Sequence, residues 1–154
     1  MTVAWRLIKE RHKASAFDGQ GARRYGGRWN HQGTAVVYLS ESVALAALES
    51  FVHFGKAASN IALVTFRVEI PDDVAIKVLT AAALPSNWRS EPPSDATKQV
   101  GTDWVAEGST PLLRVPSAII PSESNYVLNP AHADFQKLVI SNPEPFYFDP
   151  RIWK

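Results

Sequence analysis

The sequence predicts an α+β fold built as a single compact domain over residues 1–154, with central mixed or antiparallel sheets flanked by helices. Three observations point there. The chain has 154 residues, 45% hydrophobic and 20% charged, which are globular values, and that length buries about 70% of the surface of the unfolded chain. Strand-like and helix-like segments alternate irregularly rather than as βαβ units, which disfavours a doubly wound sheet. No internal repeat or heptad pattern interrupts them.

Val3–Ile8 alternates weakly and reads as an opening strand. Residues 12–34 carry Gly19, Gly21, Gly26, Gly27 and Gly33 among arginines and small polar residues, and read as one long functional loop. Tyr25 and Trp29 argue that this loop is ordered. Ala35–Leu39 is a short apolar strand. Ser40 or Ser42 then caps a helix to about Phe54, with Val43, Ala44, Ala47, Leu48, Phe51 and Val52 as its apolar face and Gly55 as its stop. Ile61–Ile70 is the clearest strand, followed by a Pro71-Asp72-Asp73 turn and a strand at Val74–Leu79. Residues 84–94 are a proline-rich loop, Asp95–Glu107 a helix, and Leu112–Val115 a strand ended by Pro116. A further strand and an Asn-Pro turn fall within 117–130, a short helix at Asp134–Ile140 and a closing strand at Phe146–Phe148. The aromatic tail (Phe146, Tyr147, Phe148, Ile152, Trp153) is expected to pack on the domain rather than on a partner.

Composition excludes several functions. The absence of cysteine removes disulfides, thiolate metal sites and a Cys nucleophile. No segment reaches the ~18 continuous apolar residues of a membrane span, and early charge interrupts any signal-peptide core, so a cytoplasmic protein is expected. His12, His31, His53 and His132 are scattered without metal-ligand spacing. GxxxxGK[ST] and GxSxG patterns are absent, and Gly19-Gln20-Gly21 approaches a dinucleotide fingerprint but is expected to lack the following helix.

Net charge is only +1, which argues against a nucleic-acid-coating protein. Within residues 1–30, however, seven cations (Arg6, Lys9, Arg11, Lys13, Arg23, Arg24, Arg28) face two anions (Glu10, Asp18), a local +5 suited to an anionic ligand. Gly26-Gly27-Arg28-Trp29-Asn30 leads towards Tyr38: Arg28 offers a planar fork for phosphate oxygens, and Trp29 or Tyr38 a stacking surface. The alternative is a plain turn with an exposed arginine and a core tryptophan. Glu49 lies on a helix among Ala46, Ala47, Leu48, Phe51 and Val52, one turn before His53. It is either a partly buried functional carboxylate or an ordinary surface glutamate.

Together these segments resemble the RES-domain family. The resemblance rests on Arg6, Gly27-Arg28-Trp29-Asn30-x-x-Gly33, Tyr38-Leu39-Ser40 and Ala44-Leu45-Ala46-x-x-Glu49-x-x-x-His53. Val115-Pro116-Ser117-Ala118, Asn125-Tyr126-x-x-Asn129-Pro130-x-His132-x-Asp134-Phe135 and Phe148-Asp149-x-Arg151 continue it, so it spans nearly the whole chain. It implies a fold related to ADP-ribosyltransferases and a toxin of a bacterial type II toxin–antitoxin pair that breaks the nicotinamide–ribose bond of NAD+ as its substrate, with no metal. It implies an antitoxin of the Xre helix-turn-helix class that blocks the active site with its C-terminal segment, and a dimeric toxin within the complex. Position by position, Arg28, Glu49 and Ser117 match the family's arginine, glutamate and serine, with Ser122 and Ser124 as close alternatives for the last. Tyr38 matches a tyrosine that stacks on NAD+, Arg6 a pyrophosphate partner, and His53, Asn125 and Asn129 polar positions, Asn129 being taken as substrate-binding.

The acceptor stays open between water, phosphate and a protein side chain, so a mono-ADP-ribosyltransferase is the second reading. A non-catalytic nucleotide- or RNA-binding module is the third.

Overall fold

In the computed structural model, which describes residues 1–153, eight strands and three α-helices follow in chain order. They are β1 (Thr2–Lys9), α1 (Gln20–Tyr25), β2 (Val37–Ser40), α2 (Val43–Phe54), β3 (Leu63–Ile70), β4 (Ile76–Val78), α3 (Asp95–Glu107), β5 (Leu112–Pro116), β6 (Ser124–Leu128), β7 (Val139–Ile140) and β8 (Glu144–Phe146). The strands form one mixed sheet in the order β4-β5-β6-β2-β1-β3-β7, with β8 also on β3. Only β4 and β5 run parallel. The expected α+β class with a mixed sheet is the one observed.

Alternation along the strands separates two cores. Ala4, Val37, Leu39, Val68, Ile70, Leu112, Tyr126 and Leu128 bury one face together with Val74 and Leu138. On the opposite face Val36, Leu113, Val115 and Val127 pack with three tryptophans, Trp29, Trp88 and Trp104. Helix α3 covers that second face through Thr97, Gly101 and Trp104, one stripe at helical spacing. Ser94 caps it, accepting from Thr97 N at 3.2 Å.

Strand β1 pairs with β3 from Thr2 opposite Ile70 to Lys9 opposite Leu63. With β2 it shares a single register pair, Trp5 opposite Ser40. Continuing that register would bring Leu7 opposite Tyr38. Instead the Tyr38 carbonyl accepts from Arg6 Nη1 at 3.1 Å, while Arg6 Nε donates to the Ala16 carbonyl at 2.6 Å. A side chain thus replaces the missing ladder bond where the two parts of the sheet separate.

Helix α2 crosses β1 and β2 on the same side as Ser40. Ser42 is its N-cap, accepting from Leu45 N at 3.0 Å, and Gly55 follows its last turn. The face it buries differs from the expected one: Leu45 and Ala46 are buried, whereas Ala44 and Val52 are exposed. A helix with apolar residues almost all round has no stripe to read, and contact with the sheet chooses the side. Glu49 lies one turn beyond Leu45 and Ala46, so it shares the buried side.

Other expectations also need correcting. Residues 12–34 are not one loop: a 3-10 segment covers Glu10–Ser15, and α1 follows Gly19 after all. Asp18 Oδ1 accepts from Gln20 N at 2.9 Å and starts that helix, which is too short to show periodicity. The strand after the Pro71 turn is only Ile76–Val78. Residues 134–140 divide into a 3-10 turn, Ala133–Lys137, and β7, because Val139 and Ile140 find the edge of β3. The closing strand is Glu144–Phe146 rather than 146–148, paired against Leu63–Thr65. Phe148 and Trp153 fold back on Phe51 of α2, with ring centroids 6.0 and 6.3 Å away, so these two tail residues pack on their own domain, while Tyr147 and Ile152 stay exposed. No helix is long and apolar enough to cross a membrane among the described residues.

Gly101 fixes how closely α3 approaches the rest. A methyl group at that position would collide with the Trp29 carbonyl. Gly101→Ala is expected to lower stability by about 2–3 kcal/mol, as overpacking of a closed core does. Urea unfolding of the two proteins checks this, and an unchanged midpoint would contradict it.

Candidate active site

The Gly27–Asn30 turn is closed by two backbone hydrogen bonds, Gly27 N to Asn30 O at 3.1 Å and Asn30 N to Gly27 O at 3.4 Å. Arg28 and Trp29 occupy its tip. Asn30 is fully buried beneath it. Its amide nitrogen donates to the carbonyls of Ala22, His31 and Thr34, and its Oδ1 accepts from the Tyr38 hydroxyl at 2.5 Å. The same hydroxyl accepts from Trp29 N at 3.1 Å. It lies so close to Gly27 that no side chain fits there. Burial pushes the Tyr38 phenol well above its ordinary pKa, against the opposing influence of the Trp29 amide and the nearby Arg28 charge. Tyr38 is therefore a neutral strut under the turn, with its ring at the edge of the tryptophan core and part of its surface open.

Trp29 is a core residue, only 3% exposed and packed beside Trp88 at 6.4 Å between centroids, and no stacking surface remains on it for a ligand. Arg28 is directed onto the proline-rich loop. Nη1 donates to the Trp88 and Ser90 carbonyls at 3.0 and 2.7 Å, and Nη2 pairs with Glu91 at 3.0 Å. Glu91 itself is well exposed, so that ion pair contributes little to stability. The same loop reaches the other part of the site, since Arg89 Nε donates to the Ala118 carbonyl at 2.9 Å.

Arg6 sits at the β1–β2 separation. Burial of its guanidinium outweighs the Asp18 charge and lowers its pKa to about 10. Its bonds to Ala16 and Tyr38 carbonyls leave Nη2 as the one nitrogen without a protein acceptor among the described residues. Its main role in this structure is to join backbone segments.

Glu49 is the meeting point of three elements. Its Oε1 accepts from Ser117 Oγ and from Asn125 Nδ2, both at 2.8 Å. Ser117 has no exposed surface, and its Oγ also accepts from Ile119 N and Ile120 N at 3.1 Å. One donor and two acceptor positions complete a hydroxyl's capacity, so Ser117 serves Glu49 and the loop after β5 rather than a ligand. Ser122 is exposed, and Ser124 accepts from Arg114 Nε at 2.9 Å, so neither reaches Glu49. Asn125 Oδ1 accepts from Ser40 Oγ at 2.7 Å across the β2–β6 register. No ion pair involves Glu49 among the described residues, and no group of three or more acidic or histidine side chains there can hold a metal.

The structure thus brings Glu49 together with Ser117, and Arg28 together with Tyr38, and links the pairs through residues 88–91. It does not bring Asn129 to them. That residue lies at the far end of β6, buried, where its Oδ1 accepts from Ala131 N at 3.0 Å and shapes the Asn-Pro turn. His53 is exposed one turn beyond Glu49. Sequence reasoning left the contributions of Asn125 and Ser40 unassigned. A readable signal existed: each is the polar member of an alternating strand, Ser40 two residues from Tyr38 and Asn125 two from Val127.

Comparison with known proteins adds the following. The RES domain family model matches residues 3–149. The chain is 42% identical over 151 residues to "Toxin Res" of Yersinia enterocolitica, covering 97% of this chain and 99% of that protein. It is 36% identical over 155 residues to "Prs ADP-ribosylating toxin" of a Sphingobium species, covering 98% and 96%. Among solved structures, the M. tuberculosis MbcT–MbcA toxin–antitoxin complex contains a chain that superposes with a TM-score of 0.79 at 19% identity, over 99% of this chain and 86% of that one.

Tyr38→Phe keeps the ring but leaves Asn30 Oδ1 and Trp29 N without their partner. A stability loss of about 1–3 kcal/mol is expected. Denaturant titration checks it, and a variant as stable as wild type would show that the turn does not depend on the phenol.

Proposed function

The chain belongs to the RES-domain family, and on that premise we propose that it is the toxin of a toxin–antitoxin pair and consumes NAD+ as its substrate by breaking the nicotinamide–ribose bond. The observation that supports this most directly is the state of Glu49. Two uncharged donors hold one of its oxygens, and no ion pair involves the group among the described residues. A carboxylate arranged this way can face a positive charge that arises during reaction.

The bond to nicotinamide breaks with its electron pair leaving on the pyridine nitrogen, which becomes neutral. The ribose carbon becomes oxocarbenium-like and then bonds to an acceptor oxygen, whose proton passes to solvent. Glu49 stabilises the cationic ribose or orients its hydroxyls and the acceptor. Arg28 supplies the anion contact: a pyrophosphate oxygen takes the place of the exposed Glu91 carboxylate, while the Trp88 and Ser90 carbonyls keep the guanidinium in place. The open part of the Tyr38 ring offers the stacking surface, and Arg6 Nη2 a second phosphate contact. Binding at these remote groups aligns the reacting bond. The partner is an antitoxin of the Xre helix-turn-helix class that covers this site, with the toxin dimeric in the complex, acting in the cytoplasm.

A second reading, mono-ADP-ribosylation of a specific protein, is favoured by the similarity to the Sphingobium toxin and differs only in the acceptor.

Incubating the purified chain with labelled NAD+, with and without phosphate, separates these outcomes. Free ADP-ribose or its 1″-phosphate is expected. Label in protein would support the second reading, and intact NAD+ would refute both. Glu49→Gln is expected to lower kcat/KM by about 10²–10³-fold, and equal activity would remove Glu49 from the mechanism.

A further inference from the structure

Asn125 lies on β6 directly opposite Ser40 on β2, and both side chains are directed to the side of the sheet that α2 crosses. The polarity of this chain of contacts admits one arrangement. A carboxylate only accepts, so Asn125 must present its NH2 group to Glu49 Oε1. Its carbonyl oxygen then faces Ser40, whose hydroxyl donates to it at 2.7 Å. Ser117 is bound by the same logic: two backbone N–H groups occupy its acceptor positions, so its proton goes to Oε1 as well. Both donors therefore fall on one oxygen of Glu49 from two directions, one from the loop after β5 and one from β6. That fixes the carboxylate plane and leaves Oε2 without a protein partner among the described residues.

We propose that Asn125, held in orientation by Ser40, is a positioning residue for Glu49 that determines which carboxylate oxygen faces the substrate. This deepens the reading of the site as an NAD+-cleaving centre and rests on it. Neutral donors suit the task. A lysine or arginine at position 125 would fix the carboxylate equally well but would cancel its charge. The Glu49 carboxylate keeps the amide from turning over, which would set two oxygens against each other, and Ser40 holds the carbonyl end of the amide in place by donating to it.

The test is steady-state NAD+ consumption by the purified chain and three variants, with thermal unfolding alongside. Asn125→Ala is expected to lower kcat about 10²-fold, as a misplaced reacting group does, with KM little changed. Ser40→Ala is expected to lower kcat in the same sense by a smaller factor. Asn125→Asp separates positioning from packing. Two carboxylates so close share one proton, and while they do, the protonated carboxyl at position 125 donates to Glu49 as the amide did. Once pH rises through the upper pKa of the pair, both carry charge and repel. The Asn125→Asp variant should therefore show kcat falling with increasing pH, a limb that wild type lacks because its amide donates at every pH. The other titratable and charged groups on the packed elements, His53 on α2, Glu41 before it, Arg6 and Lys9 on β1, Tyr38 on β2, Arg114 on β5 and Tyr126 on β6, are the same in all variants. An Asn125→Ala kcat equal to wild type, or an Asn125→Asp variant with the wild-type pH profile, overturns the proposal. Should Asn125→Ala fail to fold, Ser40→Ala and Asn125→Asp decide it. A wild-type chain that leaves NAD+ intact refutes the functional reading instead. The Asn125 side-chain amide resonances then still decide the contact: they should move between wild type and Glu49→Gln, and no movement overturns it.

Discussion

Where β1 and β2 part, the backbone alone cannot keep the sheet whole. One register pair, Trp5 with Ser40, joins the strands, and beyond it the Arg6 guanidinium ties the Tyr38 carbonyl to that of Ala16. The arrangement costs the burial of a cation, seen in its lowered pKa. In return Tyr38 and Ser40 are fixed as neighbours on one side of a strand whose other side is core. Tyr38 then supports the Gly27–Asn30 turn and, through it, Arg28. Ser40 orients Asn125 and, through it, Glu49. The placing of Arg28 and of Glu49 thus depends on Tyr38 and Ser40, two positions on one side of the same four-residue strand.

The two side chains that hold Glu49, Ser117 and Asn125, are both uncharged. A buried carboxylate paired with arginine would be more strongly held, yet less able to respond to a cation forming beside it. Serine and asparagine hold it by hydrogen bonds alone. Arg28 shows the complementary arrangement. Backbone carbonyls set its orientation and an exposed carboxylate occupies its outer edge, so the partner on that edge is weakly held. Residues 88–91 connect the two, because one segment binds Arg28 and also, through Arg89, the chain beside Ser117.

Much of this was legible in the sequence, and the limits are physical. The expected helix Asp95–Glu107 agrees with the structure to the residue, where Ser94 caps it and Thr97, Gly101 and Trp104 form its buried stripe. Glu49 and Ser117, matched to the family through their motif context 68 residues apart, are hydrogen-bonded to each other in the structure. The buried side of α2 was not legible, because apolar residues surround most of that helix and only the sheet selects among them. Whether Trp29 was a stacking surface or a core residue stayed open in the sequence, since its burial depends on Trp88, far along the chain. Asn129 looked equivalent to Asn125 in a motif, but four residues along a strand amount to roughly 13 Å, and that distance separates a turn residue from a site residue.

The same distances along the chain impose an order in time. Glu49 waits for Ser117 and Asn125, which follow 68 and 76 residues later. Helix α2 gains its aromatic clasp from Phe148 and Trp153, later still in the chain. During synthesis the helix bearing Glu49 therefore leaves the ribosome long before anything can orient its carboxylate. The polypeptide emerges with Glu49 unsupported, and its carboxylate is held only once the strand and loop that carry Asn125 and Ser117 have followed it.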